Sequence, residues 1–178
     1  MIITENKFNN DTRSTEGLKF IFENFSLRLR SNDKPIFISH KHTEVMYVYR
    51  LQQVLKRYGF SGYVDWEDDS MPKETSGVTA SKLKDNIFKS HKFILIATNA
   101  AIDSKWCNWE LGYADAHKYI DHIALFPIKP NTNNYKGEEY LQIYPSIQIT
   151  NNSLEEISNY YVLYPDGKTK TLTDWLKL

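Results

Sequence analysis

The chain contains one segment that is more informative than any other, Ser104-Lys105-Trp106-Cys107-Asn108-Trp109-Glu110-Leu111-Gly112. It follows a short apolar run, and Ser104 can cap a helix because its side chain accepts a hydrogen bond from a backbone N–H of the first turn. Trp106 and Glu110 are four residues apart, so a helix places the indole and the carboxylate on one face. A carboxylate beside an aromatic ring, just after a strand, suits a sugar-bearing ligand.

Short apolar strands and helices alternate on both sides of this segment. The sequence predicts strands at 35–40, 62–66, 93–98 and 123–128, and helices with apolar stripes at 45–58, 80–88 and around Glu110. Gly59 is expected to end the first of these helices. Repeated strand and helix units with continuously apolar strands form parallel sheets that are covered on both faces. The fold class is therefore α/β, and we expect a central parallel sheet of about five strands with helices on both faces.

The domain organisation follows from where this pattern begins and ends. Residues 1–33 are predicted to form an N-terminal region, a polar and mobile arm followed by a helical leader. Residues 34–178 are predicted to form the main domain, with its core motifs in 34–130 and its C-terminal completion in 131–178. At 178 residues, one domain of ordinary size is expected.

The C-terminal completion has a weaker pattern. Residues 140–149 hold either a short helix or an edge strand, and residues 160–173 are predicted to form a small hairpin. The hairpin turns at Pro165-Asp166-Gly167, which is a typical turn sequence. The segment Thr173-Asp174-Trp175-Leu176 is predicted to be a capped final helical turn.

The composition of the chain limits the cellular compartments and the classes of binding partner that are expected. The chain has 22 basic and 22 acidic side chains, so no overall field favours nucleic acid or an anionic membrane. Cys107 is the single cysteine, which rules out an intrachain disulfide framework and indicates a small buried residue rather than a nucleophile. No apolar run approaches the roughly 18 residues that span a bilayer. We expect a cytoplasmic protein with no membrane or nucleic-acid partner.

The candidate site lies at one edge of the predicted sheet. Ligands of open parallel sheets bind at the carboxyl ends of the strands, where loop amides and helix N-termini converge. Three polar loops are expected there, at residues 39–43, 65–77 and 99–104. The first contributes cations and hydroxyls, the second contributes carboxylates, and the third leads into the helix that carries Glu110.

Several of these residues also have simpler interpretations. Taken alone, Glu110 would be a solvated helix residue, and Trp109 on another face is expected to be a core anchor. His40 and His42 could suggest a metal, but two loop histidines without a third placed ligand are more often polar surface, so no metal site is predicted. Glu67-Asp68-Asp69 lacks regular calcium-ligand spacing and is interpreted as a solvated acidic tip.

Four segments, in their order and spacing, give the chain a resemblance to a known family. They are Ile36-Phe37-Ile38-Ser39-His40, Val64-Asp65-Trp66-Glu67, the segment from Ser104 to Leu111, and Phe126-Pro127-Ile128. The chain resembles a Toll/interleukin-1 receptor (TIR) domain of the bacterial stand-alone kind. The resemblance covers residues 34–130 and is strongest in the Trp-x-x-x-Glu element of the Glu110 helix.

This resemblance implies a flavodoxin-like fold and, as in many bacterial and plant members, cleavage of NAD at the nicotinamide–ribose bond. It implies that Glu110 is the catalytic residue. The loop that is often Ser-Tyr-Arg-Arg in such enzymes is matched by residues 39–42, in which Lys41 keeps a cation while both histidines depart. The residues expected to bind the substrate are Ser39, His40, Lys41, His42, Asp65, Trp66 and Trp106.

The chemistry expected of such a site needs NAD as substrate and no further cofactor. Loss of nicotinamide leaves oxocarbenium character on the ribose, which one carboxylate can stabilise. Lys41 would hold the pyrophosphate, and Trp106 or Trp66 would stack on a flat ring or exclude water. Attack by water gives ADP-ribose, and attack from within the same molecule gives a cyclic ADP-ribose isomer.

The resemblance also implies partners and leaves alternatives open. Self-association through the loop 67–77 is expected, together with an effector protein that receives a nucleotide signal in bacterial antiphage defence. One alternative is a non-enzymatic TIR module that acts by self-association or as an adaptor. Another is an enzyme similar to the nucleoside deoxyribosyltransferases, which share the sheet topology and use a glutamate against an anomeric carbon.

Overall fold

Eight strands form one sheet in the computed structural model, which describes residues 1–6, 35–72, 76–132, 134–150 and 159–178. The strand order is β3-β2-β4-β5-β6-β7-β8, and β1 pairs with β5 outside this path. The strands are β1 (Ile3–Thr4), β2 (Ile36–Ser39), β3 (Gly62–Tyr63), β4 (Lys92–Ala97), β5 (Ile123–Lys129), β6 (Ser146–Ile149), β7 (Tyr160–Leu163) and β8 (Thr169–Thr171).

The helices are α1 (Val45–Arg57), α2 (Gly77–Lys89), α3 (Asn99–Ile102), α4 (Lys105–His117), α5 (Glu138–Leu141) and α6 (Leu172–Lys177), with short 3-10 helices at Asp65–Glu67 and Ile120–His122. Helices α1 to α5 lie between the parallel strands, and α6 follows the last strand. Strands β3, β2, β4, β5 and β6 pair in parallel, whereas β6, β7 and β8 pair antiparallel. The predicted α/β fold with a central parallel sheet is confirmed.

Strand β4 shows why both faces of the sheet are covered. All six of its residues are buried, and successive side chains of a strand point to opposite faces. Ile94 and Ile96 join a first core cluster, to which α1 contributes Val48, Leu51 and Leu55.

The other face is covered by two further helices. Phe93 and Leu95 join a second core cluster, to which α2 and α4 contribute Leu83, Ile87, Cys107, Leu111 and Ala114. This two-sided burial explains the continuously apolar sequence of the central strands. The prediction that Cys107 is a small buried residue is confirmed.

Two helix boundaries follow the sequence signals. Gly59 follows the end of α1 with a φ of 85°, a left-handed conformation that glycine adopts at no steric cost. Ser104 is the N-cap of α4, and its side chain accepts a hydrogen bond from the backbone N–H of Cys107 at 3.5 Å. Both predicted boundaries are confirmed, and α4 begins directly after Ser104, as predicted for the helix that carries Glu110.

The second predicted strand is shorter than expected. Residues 62–66 were predicted to be extended, but β3 contains only Gly62–Tyr63, and Asp65–Glu67 forms a 3-10 helix. The Asp65 side chain accepts a hydrogen bond from the backbone N–H of Trp66 at 3.0 Å, which favours a turn over continued strand pairing. The chain therefore bends at the carboxyl edge of the sheet.

The start of the chain belongs to the sheet, and the prediction of a mobile arm is wrong for these residues. In β1, Ile3 pairs in parallel with Ile128 of β5 and is fully buried. The amino group of Met1 donates a hydrogen bond to the carbonyl oxygen of Ile149 at 2.8 Å, so this segment also contacts β6. Two residues are too few to produce a period that identifies a strand. The predicted leader helix within residues 7–33 lies outside the described residues.

The C-terminal completion is mostly as predicted. The hairpin of β7 and β8 turns at Gly167, which has a φ of 84°, and residues 140–149 hold both the end of α5 and β6. The final helix is present as α6, but its cap is Thr171 rather than Thr173. None of the helices within the described ranges combines the length and apolar character needed to cross a membrane.

The burial of Ile3 yields a test of β1. Replacing Ile3 with alanine removes a buried side chain and should lower the free energy of unfolding by about 2 to 4 kcal/mol, measured by urea denaturation. Thr4→Ala is the matched control, because Thr4 is exposed and its replacement should change stability by less than about 0.5 kcal/mol. Equal stabilities of both variants and the unchanged protein would contradict the pairing of β1 with β5.

Candidate active site

A pocket opens at the carboxyl edge of the sheet, beside the end of β2 and the first turns of α4. It lies where the sequence predicted the convergence of polar loops. Its walls come from β2 and the loop after it, from the 3-10 helix, and from α2 and α4. The lining residues are Phe37, Ile38, His40, Lys41, His42, Asp65, Thr79, Leu83, Ser104, Trp106 and Glu110.

Glu110 is the buried acid of this pocket. Its side chain is held on α4, the residue is only 8% exposed, and its Oε2 accepts a hydrogen bond from the Ser39 hydroxyl at 2.5 Å. Ser39 is the last residue of β2 and is itself buried. The contact therefore joins two elements that are distant in sequence, and it fixes the carboxyl group at the sheet edge.

The surroundings of Glu110 change its acidity. Burial raises the pKa of this carboxyl from 4.5 to about 8, the Ser39 hydrogen bond opposes that rise, and the nearby charge of Asp65 adds to it. Glu110 is thus largely protonated at neutral pH in the ligand-free protein. A positively charged ligand in the pocket would lower this pKa, because an opposite charge favours the ionised form.

His40 lies against the same edge in a defined tautomer. Its Nδ1 is 3.0 Å from the carbonyl oxygen of Ile38, which can only accept a hydrogen bond, so Nδ1 carries the hydrogen. Its Nε2 is buried and has no hydrogen-bond partner among the described residues. Burial lowers the pKa of His40, which favours the neutral imidazole.

Asp65 brings a carboxylate next to the two histidines. Its Oδ1 is 3.9 Å from His40 Nε2, and the rings of His40 and His42 are 6.0 Å apart. One ligand atom from each of His40, His42 and Asp65 lies within 4.8 Å of the others. The prediction of no metal site assumed that no third ligand was placed near the histidines, and this assumption is wrong.

A second buried acid, Glu44, holds the loop after β2 and was missed by the sequence analysis. Its Oε2 accepts a hydrogen bond from the backbone N–H of Lys41 at 3.4 Å, and its Oε1 accepts one from the Thr98 hydroxyl. Burial raises the pKa of Glu44. The sequence does contain a signal for Glu44, which is an acidic residue at the start of a helix after a polar loop. Its partner Thr98 follows β4 and is too distant in sequence to be predicted from the local pattern.

The aromatic residues of the site have different positions. Trp106 lines the pocket and is 39% exposed, and its ring meets that of Trp109 edge to face at 5.2 Å. Trp109 packs against the second core cluster, as predicted. Trp66 does not line the pocket, because its ring packs edge-on against His40 at 4.2 Å and joins the first core cluster. This position does not support the expected stacking of Trp66 on a ligand.

The structure thus brings most of the predicted site residues together. Glu110, Trp106, His40, Lys41, His42 and Asp65 line one pocket, and Ser39 reaches it through its hydrogen bond to Glu110. Thr79 and Leu83 of α2 were not predicted, because nothing in a helix sequence marks its approach to a pocket. Within the predicted self-association loop, residues 73–75 lie outside the described residues, and that role stays a prediction.

The fold and the pocket define a class of protein. A parallel sheet with a buried glutamate beside an exposed tryptophan at its carboxyl edge is the arrangement that the resemblance implied. A profile of the TIR domain family matches residues 36–159, more than half of the chain. The chain belongs to the TIR domain family.

Two relatives are similar to particular parts of the chain. It is 32% identical over 134 residues to ThsB′ of Bacillus cereus, named as a probable 3′ cyclic ADP-D-ribose synthase, and the alignment covers 68% of this chain and 66% of that protein. It is 27% identical over 111 residues to TIR2 of Cytobacillus dafuensis, named as a candidate cyclic ADP-D-ribose synthase, covering 56% of this chain and 29% of that protein. The chain therefore spans just under two thirds of the first relative and less than a third of the second.

The raised pKa of Glu110 should be visible in the stability of the protein. Its pKa is higher in the folded state than the ordinary value of 4.5, so its contribution to stability is complete below pH 4.5 and is lost as pH rises through about 8. Glu110→Gln removes this titration. The variant should become more stable than the unchanged protein as pH rises from 5 to 9, by about 3 to 5 kcal/mol in total.

Urea denaturation at several pH values measures this difference. Glu139→Gln is the matched control, because it makes the same exchange at an exposed position. A stability difference between Glu110→Gln and the unchanged protein that stays constant with pH would contradict the buried, neutral carboxyl.

Proposed function

We propose that this chain cleaves NAD+ at the nicotinamide–ribose bond and releases ADP-ribose or a cyclic ADP-ribose isomer. The observation that carries the proposal is the burial of Glu110 in a pocket at the carboxyl edge of the sheet, with Ser39 as its hydrogen-bond donor. The names of the two relatives support the same chemistry and favour the cyclic product. NAD+ is the substrate in this proposal, and no resident cofactor is required.

The charge of the substrate prepares the acid for the reaction. The nicotinamide ring of NAD+ is a cation, and its entry lowers the pKa of the Glu110 carboxyl from its resting value of about 8. The carboxyl releases its proton to solvent, and the carboxylate then faces the developing positive charge on the ribose. Because this interaction is strongest in the transition state, it lowers the activation barrier rather than only tightening binding.

The proposed cleavage does not need a general acid to protonate the leaving group. The bond between the anomeric carbon and the nicotinamide nitrogen breaks, and its electron pair neutralises the pyridinium, so nicotinamide leaves as a neutral molecule. The ribosyl cation is then captured by water or by a ribose hydroxyl of the same molecule, either of which releases its proton to solvent, or by an adenine nitrogen of the same molecule. One carboxylate is sufficient here, whereas glycosidases need a second carboxyl group to protonate a leaving oxygen that would otherwise depart as an alkoxide.

Other residues of the pocket support binding of the rest of the substrate. Lys41, held in its loop by Glu44, offers a cation for the pyrophosphate. Trp106 is partly exposed at the lining of the pocket and offers a ring face for stacking or for excluding water. Exclusion of water favours the cyclic product over ADP-ribose.

We extend the proposal to the biological role. The product is a nucleotide signal that an effector protein receives in bacterial antiphage defence, and the loop 67–77 mediates self-association of the chain. The support for this extension is the resemblance to the TIR family.

Substitution of Glu110 tests the proposed activity. Glu110→Gln keeps the size of the side chain but removes the negative charge, so nicotinamide release from NAD+ should fall at least about 100-fold. Release is measured by chromatography, which also identifies ADP-ribose and cyclic products. Glu139→Gln, on the exposed surface, is the control and should retain full activity.

The possible results separate the candidate functions. Release by Glu110→Gln at the unchanged rate would contradict the assigned role of the carboxyl. If the unchanged protein released no nicotinamide at any concentration tested, the non-enzymatic binding module would be favoured. Base exchange on deoxynucleosides with NAD+ left intact would favour the transferase.

The pH dependence of nicotinamide release provides a separate test. Because kcat/KM reports the free enzyme, it should rise with pH with a midpoint near the Glu110 pKa of about 8. The midpoint of kcat should be lower, since the bound cation favours the ionised carboxyl. Ser39→Ala should move the kcat/KM midpoint upward, because the Ser39 hydrogen bond lowers this pKa. A profile that falls between pH 6 and pH 9 would contradict the required ionisation.

A further inference from the structure

His40, His42 and Asp65, which the sequence predicts to bind substrate, form a cluster to which the proposed bond-breaking step assigns no role. They come from the loop after β2 and from the 3-10 helix after β3, and all three line the pocket that contains Glu110. We propose that His40, His42 and Asp65 bind a divalent transition-metal cation of the zinc class. This proposal does not depend on the proposed function.

The hydrogen bonding of His40 prepares it as a ligand. Its Nδ1–H donates to the carbonyl oxygen of Ile38 at 3.0 Å, which leaves the lone pair on Nε2. The same arrangement, one ring nitrogen donating to a carbonyl and the other binding the ion, is usual for metal-bound histidines. His40 Nε2 is buried without a hydrogen-bond partner among the described residues, so a cation could satisfy this atom.

The position of Asp65 makes the case stronger. Its Oδ1 lies 3.9 Å from His40 Nε2, too far for a hydrogen bond between them. In this tautomer the two atoms present lone pairs to each other, and a cation between them would turn repulsion into attraction. The backbone N–H of Trp66 donates to the same Oδ1 at 3.0 Å, which holds the carboxylate in its orientation.

The distances are close to those of a metal site. Tetrahedral zinc with bonds of about 2.0 to 2.1 Å separates its ligand atoms by about 3.4 Å. The observed 3.9 Å between His40 and Asp65 exceeds this by a few tenths of an ångström, and His42 is within 4.8 Å of both. His42 is exposed, so its side chain is free to rotate toward the other two ligands.

The types of ligand select the metal. Imidazole nitrogens suit zinc, copper, nickel and cobalt, whereas calcium and magnesium prefer sites made only of oxygen. Two imidazoles and one carboxylate leave a fourth coordination position for water or a phosphate oxygen, as in zinc sites with three protein ligands. Cys107 does not compete for the ion, because it is buried and burial raises the pKa of its thiol.

Direct metal titration tests the site. The full chain is treated with a chelator and titrated with Co²⁺, whose visible absorption reports coordination geometry, and with Zn²⁺ in a calorimeter. We expect saturable binding of one equivalent of each ion, with Zn²⁺ displacing Co²⁺, and no comparable binding of Mg²⁺. NAD+ is absent, so the outcome is independent of whether the chain cleaves it.

Three variants locate the ion. His42→Ala and Asp65→Asn each remove one ligand and should weaken Zn²⁺ binding by at least about tenfold. His117→Ala is the matched control, because His117 is an exposed histidine at the end of α4, and it should bind Zn²⁺ as the unchanged protein does. Since His42 is exposed, His42→Ala should keep the thermal unfolding temperature, which separates loss of binding from loss of the fold.

Two results would overturn the proposal. One is the absence of saturable Co²⁺ or Zn²⁺ binding by the unchanged protein. The other is binding of unchanged strength in both His42→Ala and Asp65→Asn, which would place the ion elsewhere in the chain.

Discussion

The candidate site depends on one contact, the hydrogen bond from the Ser39 hydroxyl to the buried carboxyl of Glu110. A buried carboxylate with one strong hydrogen-bond donor is unfavourable in free energy. Glu110 therefore stays protonated at neutral pH when no ligand is bound. The contact also joins β2 to α4 across 71 positions of sequence. The contact therefore fixes the carboxyl at the sheet edge and limits the rise in pKa that burial causes.

The architecture around that contact explains why it can form. Parallel strands end at one edge, and α4 begins at the Ser104 cap and brings Glu110 to Ser39 at the end of β2. Glu44 acts on the neighbouring loop, which it ties to Thr98 at the end of β4. Two buried acids, Glu110 and Glu44, thus make hydrogen bonds at the same edge of the sheet, and they have different roles. Glu110 faces the pocket, and Glu44 stabilises the backbone that carries Lys41.

The sequence predicted the features that depend on local patterns. The α/β order, the cap at Ser104, the end of α1 at Gly59 and the C-terminal hairpin each leave a signal within a few residues. The position of Glu110 in a pocket followed from the spacing of motifs along the chain. The first four features need no knowledge of which distant segments meet, whereas the position of Glu110 also relied on the rule that ligands bind at the carboxyl edge of a parallel sheet.

The sequence could not predict the features that depend on contacts between segments distant in the chain. Strand β1 is two residues long, and only its neighbours on β5 and β6 make it a strand. Asp65 reaches His40 because the chain turns after Tyr63, whereas a continued strand was predicted. The same turn places Trp66 behind His40 instead of at the pocket wall.

The C-terminal helix shows that the folding unit is longer than the family signature. The family match ends at residue 159, yet Trp175 of α6 is fully buried and its ring lies 4.8 Å from the ammonium nitrogen of the buried Lys92. A fragment truncated at that boundary would lose β7, β8 and this ring together. Strand β6 would become an open edge with unpaired backbone groups, a template for aggregation, and an ammonium group inside the protein would lose its aromatic cover.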